Sequence, residues 1–67
     1  MNNSTKTRLI FMLDREFDKT FENIMNKKKL MDRTGNFKEI ATLASEAAEL
    51  EDYLETLLNM ALKIMEV

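Results

Sequence analysis

Carboxylates three residues apart are the pattern in this chain with the most chemical potential. Glu46-x-x-Glu49 and Glu49-x-x-Asp52 have the spacing with which facing helices hold magnesium in some helical nucleotide hydrolases, and Glu51 and Glu55 lie close by. Such a site needs a second acidic pair on the opposing helix, because magnesium takes its oxygen ligands from several directions. The first half of the chain has no acidic pair at the same spacing, and Glu49 and Asp52 fall on a face that is polar along its whole length. The acids therefore read as a solvated face. There is no cysteine and no histidine, which removes thiol nucleophiles, disulfides, most zinc sites and the usual general base near neutral pH. We expect no enzyme, no catalytic residue, no metal ligand and no cofactor.

Lys27-Lys28-Lys29 with Arg33 is the one basic cluster. It could touch phosphates, but no aromatic residue lies beside it to stack a base, and positive charge near the end of a helix is favoured by the helix dipole. The net charge of −2 is also too balanced to indicate nucleic-acid binding. The halves differ in sign, with +3 over residues 1–33 and −5 over residues 34–67. Opposite-sign helices laid side by side attract, which is the simplest use of that asymmetry.

The elements that position these residues follow from one break in the pattern. The chain has no proline and one glycine, Gly35. Gly35 can adopt the left-handed conformation that closes a helix. Asn36 can then cap the next helix, with Glu39 at capping-box spacing. This predicts an all-α antiparallel hairpin: a helix over about 5–32, a turn over 33–36 and a helix over about 37–66, forming one domain over 1–67. In the second helix Ile40, Leu43, Ala47, Leu50, Leu54, Leu57, Ala61 and Ile64 alternate steps of three and four, the seam pattern of a coiled coil. In the first, Ile10, Leu13, Phe17, Phe21, Ile24 and Met31 can form the facing side, weakened by Thr20 and by Lys27 or Lys28. Tyr53 reads as a filler at the seam edge. Folding at Gly35 pairs residues whose numbers add to roughly 70, which sets Phe17 against Leu54, Lys19 near Glu51 and Arg15 near Glu55.

The apolar surface exceeds what one seam can cover. Phe37, Ala41, Ala44, Ala48, Leu58, Leu62 and Met65 add a flank to the second helix, interrupted by Glu51 and Glu55. Leu9 to Leu13 is apolar around more than one full turn. At the open end, where Met1, Met12, Met60 and Met65 gather, we expect Leu9, Phe11, Met12, Leu58, Leu62 and Met65 to meet a helical protein partner and complete a bundle. Burying each large apolar side chain is worth about 1.5–3 kcal/mol, and a chain of this size rarely reaches more than ~3–5 kcal/mol of stability unaided. The longest uninterrupted apolar run, Leu9 to Leu13, is short of the ~20 residues of a membrane span, so we expect a cytoplasmic protein.

This layout resembles the small co-chaperones of type III secretion needle subunits. The carrying features are Asn26-Lys27-Lys28-Lys29-Leu30-Met31, the Gly35 turn, and Ala44-Ser45-Glu46-Ala47-Ala48-Glu49-Leu50-Glu51. The resemblance covers nearly the whole chain at the level of pattern. It implies a protein-transport role in which the hairpin pairs with a helical-repeat chaperone and the two shield a needle subunit. A homodimeric four-helix bundle, a plasmid- or phage-type regulator that binds RNA or protein, is the other architecture of matching length.

Overall fold

The computed structural model describes residues 2–66. Met1, counted above with the open-end methionines, lies outside them. Two helices, α1 (Asn3–Arg33) and α2 (Phe37–Glu66), pack antiparallel as an all-α hairpin about 51 Å long and 14 Å across. α1 begins two residues earlier than expected because Asn2 caps it. The Asn2 side-chain oxygen accepts the Thr5 N–H at 2.8 Å, which satisfies one of the donors a helix start leaves unpaired.

The turn forms where expected but by different chemistry. No residue among those described, Gly35 included, has a positive φ. α1 instead ends on Thr34 in an extended conformation, its N–H donating to Leu30 O at 3.1 Å. The Thr34 hydroxyl then ties the turn together. It donates to Glu39 Oε2 and accepts the Asn36 N–H at 3.3 Å. Asn36 caps α2 as anticipated, its side-chain oxygen accepting the Lys38 and Glu39 N–H groups at 2.9 and 3.3 Å. The Glu39 carboxylate reaches Thr34 rather than the Asn36 backbone, so the reciprocal half of the capping box is replaced by a side-chain bond.

The seam on α2 is the expected one: Ala47 and Leu57 are buried, and Ile40, Leu43, Leu50, Leu54, Ala61 and Ile64 are half-buried. On α1 the seam runs Ile10, Leu13, Phe17, Thr20, Ile24, Lys27 and Met31, again in steps of three and four. One member of the anticipated inner face is displaced. Phe21 is 52% exposed, and Thr20 takes its place, 6% exposed. A step of three or of four from Phe17 is equally helical, but only the shorter one keeps the alternation that holds a seam in line. Thr20 tolerates this burial because its hydroxyl donates to Glu16 O one turn back, at 2.8 Å.

Cross-helix polar contacts also depart from the simple register. Lys27 Nζ meets Glu46 Oε2 at 2.8 Å, Lys28 Nζ meets Glu51 Oε1 at 3.5 Å, and the Tyr53 hydroxyl donates to Glu16 Oε1 at 3.3 Å. The expected Lys19–Glu51 and Arg15–Glu55 pairs do not form among the described residues. Numbers that add to 70 match levels along the rod, but Arg15 points away from α2 and Lys19 lies on the opposite flank from Glu51. Lys27 lies in the seam, its stem covering apolar surface while its ammonium reaches the rim.

Candidate protein-docking face

A two-helix hairpin has two flanks beside its seam, and here they differ in kind. Steps of three and four place Phe11, Asp14, Asp18, Phe21, Met25 and Lys28 along one flank of α1. The same steps place Phe37, Ala41, Ala44, Ala48, Glu51, Glu55, Leu58, Leu62 and Met65 along one flank of α2. Two observations put these stripes on the same side. Lys28 reaches across to Glu51, and Asp14 and Leu58 line one shallow groove of about 230 Å³ with Leu13, Phe17, Leu57 and Ala61.

That side is apolar and wet. Phe37 is 87% exposed and Phe11 68%, and Phe21, Leu58, Leu62 and Met65 are each about half exposed or more. Solvent-exposed aromatics and leucines gathered on one side mark an association surface, whereas scattered ones are ordinary. The other flank carries Leu9, Met60 and Leu30 at its ends but is polar between them, through Glu16, Asn23, Glu39, Glu46 and the Tyr53–Glu16 bond. A hollow of about 640 Å³ at its turn end is lined by Arg33, Thr34, Lys38, Glu39 and Thr42 with Leu30 and Leu43, and although its walls are mostly apolar it is confined to that end and forms no stripe along the rod.

Of the six residues expected at a partner, the structure brings four together. Phe11, Leu58, Leu62 and Met65 share the apolar side. Leu9 is half-buried on the opposite flank, and Met12 faces outward beyond it, together with Phe11 and Arg15 around a separate depression. The apolar side also runs the full length of the rod, past the open end. Phe21 and Met25 extend it along α1, a contribution that sequence reasoning missed by assigning Phe21 to the seam. The signal was available in the spacing Asp14, Asp18, Phe21, Met25, which parallels the seam one position on.

Desolvation first, and then the Glu16 carboxylate beside it, raise the Tyr53 phenol above its ordinary value of 10.0. Among the described residues no group of three or more acidic side chains converges as a metal site would require, and no helix is long and apolar enough to cross a membrane. Glu46, a member of the acidic run considered for magnesium, is engaged by Lys27. No family model matches this chain, and no curated protein or solved structure does either.

Proposed function

We propose that this hairpin is a non-enzymatic protein-binding module, a small chaperone or adaptor that pairs with another helical protein across its apolar side. The observation that carries the reading is the one-sidedness of the exposed apolar residues: Phe11, Phe21, Phe37, Leu58, Leu62 and Met65 on one flank, with a largely polar flank opposite. An amphipathic helix laid into such a surface reads it through residues three and four apart, the spacing of this stripe. The broad side of a rod 51 Å by 14 Å spans about 700 Å² between Cα positions, close to the ~800 Å² per partner of a stable interface. The resemblance to needle-subunit co-chaperones supports the same reading, with a cytoplasmic setting as part of the proposal.

Leu62→Glu, toward the open end, and Phe21→Glu, nearer the middle, each place a charge in the stripe without touching the seam. Each is expected to abolish capture of the partner from the host while leaving helical circular dichroism unchanged. Asn59→Glu, on the outer surface of α2, is expected to capture normally. If both stripe variants retain the partner at native levels, the face is not the binding site.

A further inference from the structure

Near its middle the apolar side is broken by acidic residues, and Lys28 is the one basic residue in the stripe. Asp18 and Glu51 lie near the midpoints of their helices, and Asp14 and Glu55 lie one turn away from them toward the open end. All four are exposed on the apolar side. Glu51 has a cation, Lys28, at 3.5 Å, whereas Asp14, Asp18 and Glu55 have no ion-pair partner among the described residues. The stripe therefore has apolar ends and an acidic waist, with Arg15 and Lys19 beside Asp14 and Asp18 on the outer surface of α1 but not ion-paired to them.

This waist discriminates between occupants. A second copy can overlap the full face in two ways, parallel or antiparallel about a two-fold axis. The parallel one sets Asp18 of one copy against Glu51 of the other and Asp14 against Glu55, and the antiparallel one sets Asp18 and Glu51 each on its own counterpart, with Asp14 and Glu55 within about a turn of them. A shifted copy avoids the clash only by giving up much of a face whose area is already no larger than that of a standard interface. Like charges opposed across a contact act against the wrong partner, and opposite charges fix the right one. On the docking reading above, we infer that the occupant is an amphipathic helical protein whose apolar stripe is broken near its centre by Lys or Arg, and that the acidic waist keeps this chain from pairing with itself.

The chain supplies its own probe. A variant with Asp14→Lys, Asp18→Lys and Glu55→Lys keeps the seam and every apolar residue of the stripe but carries a basic waist. By sedimentation velocity the native chain alone is expected to remain monomeric, and an equimolar mixture of native and charge-reversed chains is expected to form a 1:1 complex. That complex should weaken as salt is raised, since exposed charges are screened within about a Debye length, and should be lost when the native member carries Leu62→Glu. Should the lysine variant fail to fold, a neutralised chain (Asp14→Asn, Asp18→Asn, Glu55→Gln) is expected to self-associate at least about tenfold more tightly than the native one. A native chain that dimerises through the stripe overturns the inference. So does a mixture that stays monomeric, or a neutralised chain that self-associates no better. If the charge-reversed chain captures the same host protein as the native one while Leu62→Glu does not, the docking face stands and the role given to the waist is wrong.

Discussion

Tyr53 and Glu16 show how much a single contact across the hairpin can be read from outside. Tyr53 is the only tyrosine in the chain, and there is no tryptophan, so its ultraviolet titration is free of overlap. Desolvation and then the Glu16 carboxylate disfavour the phenolate, which holds the folded-state pKa above 10.0. A raised pKa means that the folded chain favours the protonated phenol. The stabilisation from this contact is therefore fully present below the ordinary value and is lost as pH climbs through the raised one. Difference absorbance is expected to place the native midpoint above that of the urea-unfolded chain, and Glu16→Gln to move it back part of the way. Identical midpoints in folded and unfolded chains would mean that the Tyr53–Glu16 bond does not persist in solution. Residue spacing alone placed Tyr53 at the seam edge, but nothing in it singled out Glu16. Likewise Phe21 was assigned inward because aromatic side chains are usually buried, and the competing candidate, Thr20, hides its hydroxyl by bonding its own helix.

At the scale of elements, the hairpin was readable because hydrophobic period and capping residues agreed, as they do in α2 from Phe37 to Glu66. The closing of the turn was not, because several chemistries can end a helix. Glycine suggested a left-handed stop, whereas Thr34 and Asn36 make the turn with side-chain bonds and ordinary backbone angles. This has a measurable consequence. A Cβ added at Gly35 meets nothing within 4 Å, and the residue has no positive φ to lose. Gly35→Ala is expected to stabilise the hairpin by about 0.4–1 kcal/mol through the lower entropy of the unfolded chain. Asn36→Ala removes the α2 cap and is expected to destabilise by about 1 kcal/mol. Urea midpoints moving in opposite directions for the two variants would support this turn. A marked loss of stability in Gly35→Ala would return the turn to the left-handed form.

Taken as a whole, the molecule separates the residues that hold it together from those that face outward, and the two sets can be tested against each other. Among the described residues only Ile24, Ala47 and Leu57 are buried apolar residues, and none has a side chain below 2% exposed. Two helices in contact can shield a seam only from one side, so the remaining seam residues stay half-open. Leu57 is the largest α2 side chain that the seam encloses, at 4% exposure. Leu57→Ala is expected to destabilise by about 2 kcal/mol or more, the lower part of the range for buried leucines because the surrounding seam can relax. Leu50 is only half-buried, so Leu50→Ala falls at or below that figure, less than its place in the sequence pattern suggested. Phe21→Gln, Phe37→Gln and Leu62→Gln lie on the exposed stripe, where substitutions away from caps and cores usually stay within about 0.5 kcal/mol each. Combined, they are expected to leave the unfolding midpoint close to native while removing binding of a hydrophobic dye. If the triple variant proves as destabilised as Leu57→Ala, then these three side chains belong to the fold of the lone hairpin, and the surface offered to a partner is smaller than their exposure indicates.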